Sequence, residues 1–147
     1  MDQPTAEGAL KMLEALVGEW KLEIIGADGE PWPGEAGATV EWHESRAHLV
    51  ARSHVDVREA PDSISVIGCD AANGTYYQLY SDQRGVARVY EMSIDESGWK
   101  LWRQGEPFAQ RFAANFEDGG DTMRGRWEIN EGEGWRTDFE VVYRRTD

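Results

Sequence analysis

A phenol, a guanidinium and a carboxylate occur close together in the middle of this sequence, and lyases and isomerases move protons with such groups. They belong to Tyr80, Arg88, Tyr90 and Glu91. Because successive side chains of a β-strand point to opposite faces, Glu91 lies on the other face from Arg88 and Tyr90. It therefore cannot reach the substrate atoms that they reach. We predict no catalytic residue, and a lyase or isomerase is the least favoured of three functions that the sequence allows.

The three histidines, His43, His48 and His54, are the other candidates for chemistry. Their spacing does not match a metal site, and we expect them to face water among charged neighbours. The sequence has no Gly-x-Ser-x-Gly motif, no phosphate-binding loop and no Cys/His pair. We therefore predict neither a metal site nor a cofactor.

A larger group of side chains, mostly aromatic, is suited to bind a small molecule. The face of residues 86–94 that carries Arg88 and Tyr90 is the more apolar one, so we take it as the inward face. Mostly apolar walls with few polar groups are typical of small-molecule pockets, and a buried Arg88 would need an anionic ligand or an internal carboxylate. The predicted ligand-binding residues are Trp20, Trp42, Tyr80, Arg88, Tyr90, Gln110, Phe112, Trp127 and Phe139.

These residues fall on elements whose type the periodicity indicates. Leu10, Leu13, Leu16 and Val17 recur at helical spacing, with Thr5 as a plausible N-cap, and predict a short N-terminal helix. From Trp20 onward apolar and polar residues alternate, and turn-forming residues divide the chain into strands about 8–12 residues apart. The predicted strands cover about residues 20–25, 38–44, 49–57, 63–70, 75–81, 86–94, 99–104, 108–116, 122–129 and 135–144.

Short turns between consecutive strands favour a barrel over a sandwich, because a closed up-and-down barrel leaves no unpaired edge strand. Only the connection around residues 31–37 is long. We predict an all-β fold, with residues 1–147 forming one antiparallel up-and-down β-barrel of about ten strands. The N-terminal helix closes one end of this barrel.

The segment Gly18-Glu19-Trp20 after a short helix resembles the start of the barrel in calycins, the class that includes lipocalins and fatty-acid-binding proteins. The chain also resembles an uncharacterised bacterial calycin-like family, a domain of unknown function. The matching segments are residues 16–20 (Leu-Val-Gly-Glu-Trp), 82–90, 110–112, 125–128 and 135–139. The resemblance implies a calycin-like barrel that a terminal arginine, Arg144 or Arg145, closes by stacking on Trp20.

Two functions of related barrels do not fit these residues. Nitrobindin-like barrels hold haem with a histidine near the C-terminus, whereas all three histidines here lie in the first half. Fatty-acid-binding proteins use an Arg-x-Tyr pattern in the last strands, and this pattern is missing here.

The net charge of −13 and the isoelectric point near 4.6 argue against nucleic acids and anionic membranes as partners. We expect a cytoplasmic protein, since the N-terminus does not resemble a signal peptide and no apolar run is long enough to span a membrane. The single cysteine, Cys69, excludes an intramolecular disulfide.

We therefore predict a protein that binds a small apolar or aromatic molecule in the barrel lumen without chemistry. The alternative is a barrel that its own aromatic side chains fill, acting in structure or interaction through exposed aromatics. Trp32 lies in a Pro/Gly-rich loop, and one of Trp99 and Trp102 must point outward because their parity differs. An outward tryptophan would suit a homodimer.

Overall fold

The computed structural model describes residues 6–57 and 60–147, in which ten antiparallel strands close into one barrel. This confirms the predicted fold class. Each strand pairs with its neighbours in the chain, and the first strand pairs with the last to complete the ring. The strands are β1 Gly18–Gly26, β2 Ala36–Trp42, β3 Leu49–Val55, β4 Ser63–Asp70, β5 Thr75–Asp82, β6 Ala87–Ile94, β7 Gly98–Arg103, β8 Ala109–Glu117, β9 Thr122–Asn130 and β10 Trp135–Arg145.

The N-terminal segment closes one end of the barrel, as predicted. Helix α1, Glu7–Met12, continues into a 3-10 turn, Leu13–Leu16, and both leucines of that turn are buried in the core. The Tyr76 hydroxyl donates a hydrogen bond to the Ala9 carbonyl at 2.8 Å and so fixes the helix to β5. The predicted N-cap, Thr5, lies outside the described residues.

Strand parity determines which side chains enter the lumen. On β6, Tyr90 is buried while Val89 is 70% exposed, so the face with Arg88 and Tyr90 points inward as predicted. On β7, Trp99 is buried in the core and Trp102 points outward. This settles the choice between the two tryptophans.

A β-bulge interrupts the alternation in β10. The register between β9 and β10 shifts between Thr137 and Phe139. An extra residue in one strand reverses the direction of the side chain next to it. As a result Asp138 and Phe139 both line the interior of the barrel.

Among the described residues no helix has the length and apolar character needed to cross a bilayer, and α1 has only six residues.

Candidate ligand-binding site in the barrel lumen

The barrel encloses a cavity of about 780 Å³. Its lining extends from Leu16 and Trp20, at the end that the helix closes, to Trp32 and Phe108 in the loops at the opposite end. Pockets for drug-sized molecules have volumes of about 300–1,000 Å³, so this cavity is large enough for a small organic ligand. The lumen is therefore not filled by side chains.

Seven of the nine predicted lumen residues line this cavity. They are Trp20, Tyr80, Arg88, Tyr90, Gln110, Trp127 and Phe139. That any of them binds a ligand stays a prediction. The other two, Trp42 and Phe112, lie outside the lining.

Trp42 lies at the closed end, against the helical segment. Its indole Nε1–H donates a hydrogen bond to a Glu14 carboxylate oxygen at 2.5 Å, and the Arg46 guanidinium lies 4.8 Å from its ring centroid. These contacts hold Trp42 away from the lumen. Strand periodicity carries no information about contacts to the helix, so it could not show that Trp42 lies outside the cavity lining.

Phe112 lies inside the barrel, but it belongs to the packed core and not to the cavity lining. Its ring packs against Trp99 and Trp127, with centroid distances of 4.8 and 5.0 Å. It also lies on the backbone of Gly125, where a side chain would collide with the ring. Phe112 therefore supports Trp127 from behind and does not face the cavity.

Arg145 is the arginine that stacks on Trp20, and its guanidinium carbon lies 4.2 Å from the ring centroid. Arg145 also donates hydrogen bonds to the Val17 carbonyl and to an Asp121 carboxylate oxygen. Gly18 leaves room for this guanidinium, because a Cβ there would collide with it. Arg144 instead points outward and pairs with Glu23 at 3.5 Å.

A hydrogen-bonded group lies in the half of the cavity away from the helix. The Gln110 side-chain oxygen accepts hydrogen bonds from the Tyr90 hydroxyl at 2.9 Å and from Arg103 Nε at 3.0 Å. Burial raises the pKa of Tyr90, while the neighbouring Arg88 and Arg103 oppose that shift. The phenol is thus neutral at physiological pH and close to two guanidiniums.

In a second polar group, the members hydrogen-bond one another. The buried Asp82 carboxylate accepts hydrogen bonds from the Tyr80 hydroxyl at 2.8 Å and from the Arg84 guanidinium at 2.6 Å. The Arg84 contacts hold the pKa of Asp82 well below its usual range. Burial, with the hydrogen bond to Asp82, raises the pKa of Tyr80 to about 12.

The predicted set lacked three residues at this end of the barrel. Phe108 and Asp138 line the cavity, and Arg103 lies outside the lining but donates a hydrogen bond to Gln110, which is part of it. Phe108 shares parity with Gln110, and Arg103 shares parity with Trp99, so alternation could have found both. Asp138 enters the lumen through the bulge, for which the sequence has no signal. Burial raises the pKa of Asp138, with Arg136 and Arg88 opposing.

The histidines lie on the outside of the barrel. His43 and His48 stack at a centroid distance of 4.7 Å, and His54 Nδ1 lies 2.5 Å from an Asp62 carboxylate oxygen. Within residues 6–57 and 60–147, no group of three or more His, Cys, Asp or Glu side chains could hold a metal ion.

Comparison with known proteins gives information about the fold and none about the residues of the site. No protein-family model matches the chain, and no curated protein matches it either. Among solved structures it is similar to the S-type phycobiliprotein lyase CPES from Guillardia theta, with a TM-score of 0.58. The two sequences are 12% identical over 98% of this chain and 99% of that one. This likeness shows a shared calycin-like barrel fold.

Proposed function

We propose that this protein binds a small apolar or aromatic molecule in the lumen of its barrel. The observation that carries the proposal is the cavity of about 780 Å³ within the closed barrel. A barrel that acted only through its surface would gain stability by filling that space, since packing defects are costly. The cavity thus favours a binding protein over the filled-barrel alternative.

Native mass spectrometry of protein purified without refolding tests the proposal. We expect a stoichiometric adduct of a few hundred daltons that is released on denaturation, since a ligand of that size suits the cavity.

A matched pair of variants locates such an adduct. Ala51 lines the cavity, whereas Ala113 is exposed on the outer face of β8. Ala51→Phe places a ring in the lumen and should abolish the adduct, and Ala113→Phe should retain it. An adduct that survives Ala51→Phe in a folded protein would contradict lumenal binding.

A lumenal lyase or isomerase is the second candidate, and one observation favours it. Strand parity places the Glu91 carboxylate on the outer face, away from Arg88 and Tyr90. The Asp138 carboxylate, in contrast, lines the same cavity as these two side chains. The solved structure of the same fold is also named a lyase, although a fold by itself does not determine an activity. An enzyme of this kind would carry product in the wild type and unconverted substrate in Asp138→Asn. A bound compound that is identical in the two proteins, both in mass and in chromatographic retention after release, would argue against catalysis.

We also propose membership of the uncharacterised bacterial calycin-like family, on the motifs given above, and a cytoplasmic location, in keeping with the acidic composition. A homodimer stays a prediction, supported by the outward position of Trp102. Sedimentation equilibrium tests it, and a monomer at all concentrations would exclude it.

A further inference from the structure

The charged residues along the cavity are predominantly arginines, although the whole chain carries a net charge of −13. The charged residues of the lining are Arg52, Arg84, Arg88 and Asp138. Arg52 pairs with Glu41 at 3.0 Å and Arg84 pairs with Asp82 at 2.6 Å. Arg88 has no ion pair within residues 6–57 and 60–147. Asp138 lines the same cavity, and burial raises its pKa while Arg136 and Arg88 oppose that rise, but no ion pair joins the described side chains of Asp138 and Arg88. A guanidinium at the wall of an apolar cavity is costly without a paired countercharge.

A second guanidinium lies beside Arg88. Phe108 is flanked by both, with the Arg88 and Arg103 guanidinium carbons 5.3 and 5.8 Å from its ring centroid. The only hydrogen-bond acceptors of Arg103 in the described part of the chain are the Gln110 side chain and, at 3.5 Å, the Glu106 carbonyl. Both acceptors are neutral. Two like charges therefore share one aromatic ring, and an anion beside that ring would stabilise both.

The rest of the cavity determines what kind of anion fits. Beyond Tyr90 and Gln110, towards the helix, the wall is mostly apolar and includes Leu16, Val40 and Met123. Such a wall favours an uncharged apolar body. The position of the arginines relative to the helix-closed end would place a charged group at the loop end and the body in the lumen.

We propose that the lumen ligand is a small amphipathic organic acid, whose single anionic group is bound by Arg88 and Arg103 beside Phe108. This inference rests on the proposed function and adds to it the charge and orientation of the ligand. A carboxylate and a sulfonate share the required chemistry. A dianion or a neutral hydrocarbon does not.

Two fluorescent dyes that differ only in an anionic group test the proposal. 1-Anilinonaphthalene-8-sulfonate carries the sulfonate, and N-phenyl-1-naphthylamine has the same aromatic body without it. Fluorescence titration of the wild type should show tighter binding of the sulfonate. Arg88→Met should weaken sulfonate binding about tenfold or more, the effect of a lost charge-assisted hydrogen bond, and change amine binding less than about twofold.

Three further variants serve as controls. Arg103→Met should act in the same direction as Arg88→Met, and Arg88→Lys should restore most of the sulfonate affinity because it keeps the charge. Arg124→Met removes an arginine from the outer face of β9, where it pairs with Glu117 at 2.9 Å, and should change neither dye. Unchanged amine binding shows that each variant keeps its fold and its lumen.

A matched pair of aliphatic compounds extends the test to a carboxylate. Dodecanoate should displace the bound amine dye from the wild type more strongly than dodecan-1-ol, and Arg88→Met should remove the difference. Equal effects of Arg88→Met on both dyes, or no effect on either, would overturn the acid-binding inference and leave lumenal binding intact. Failure of both dyes to bind the wild type would overturn the proposed function as well.

Discussion

At the scale of single residues, Arg145 joins several segments that are far apart in the sequence. It stacks on Trp20, donates to the Val17 carbonyl before β1, and reaches Asp121 after β8. Its side chain is only 22% exposed, whereas that of Arg144 is 51% exposed in its pair with Glu23. Two adjacent arginines thus have very different environments.

This difference predicts different costs of truncation. Arg145→Ala should lower the free energy of unfolding by about 1–3 kcal/mol, because it removes a partly buried cation–π contact and several charge-assisted hydrogen bonds. Arg144→Ala should change it by less than about 0.5 kcal/mol, as is typical of surface pairs. Urea denaturation followed by tryptophan fluorescence measures both. Equal losses would show that Arg145 does not close the barrel.

Asp82 supplies a second prediction at this scale. Asp82→Asn removes the charge that holds Arg84 and should cost about 1–3 kcal/mol at neutral pH. The folded pKa of Asp82 lies below its ordinary value of 3.8, so its contribution is present above that pH and is lost as pH falls further. The difference in unfolding free energy between wild type and variant should therefore shrink below about pH 4. A difference that stays constant down to pH 2 would contradict the ion pair.

At the scale of elements, the helical segment closes one end of the barrel by burying two leucines, Leu13 and Leu16. Leu13 is fully buried at the end of the barrel, whereas Leu79 is 43% exposed on the outer face of β5. Leu13→Ala should cost about 2–5 kcal/mol, while Leu79→Ala should cost less than about 1 kcal/mol. Thermal unfolding of the two variants makes the comparison. Similar midpoints would mean that the segment does not plug the barrel.

Elements also show where prediction from sequence succeeds. Alternation placed Arg88 and Tyr90 on the inner face, since parity depends only on neighbours within one strand. It failed at Asp138, because the bulge arises from the register between β9 and β10. Alternation also placed Trp42 and Phe112 on the inner face correctly, and both pack in or against the core. It could not show that they lie outside the cavity lining, because this depends on Glu14 in the helical segment and on the bare backbone of Gly125, which lie in other elements.

At the scale of the whole molecule, the barrel shields its tyrosines together. All five, Tyr76, Tyr77, Tyr80, Tyr90 and Tyr143, have a raised pKa, with burial as the largest cause. The pKa values of Tyr80 and Tyr143 reach about 12. Both of these phenols line the cavity.

An alkaline titration tests this shielding. The rise in phenolate absorbance at 295 nm should occur at higher pH in the folded protein than in denaturant, where all five should ionise near their ordinary value of about 10. Since the folded pKa values are raised, the stability that they contribute is present below pH 10 and is lost as pH rises towards 12. The free energy of unfolding should therefore decrease across that range. Early ionisation of two or more phenols would contradict the closed barrel.

The pairing of β1 with β10 also bears on how the barrel assembles. All other pairings join strands that follow one another in the chain, so each can form as a local hairpin. The β1–β10 pairing joins distant segments, and the contact between Arg145 and Val17 spans 128 positions. Bringing such distant segments together carries the largest loop-closure entropy of any pairing. We therefore expect ring closure to limit the folding rate, with the hairpins forming first as an open, curved ladder whose two ends meet last.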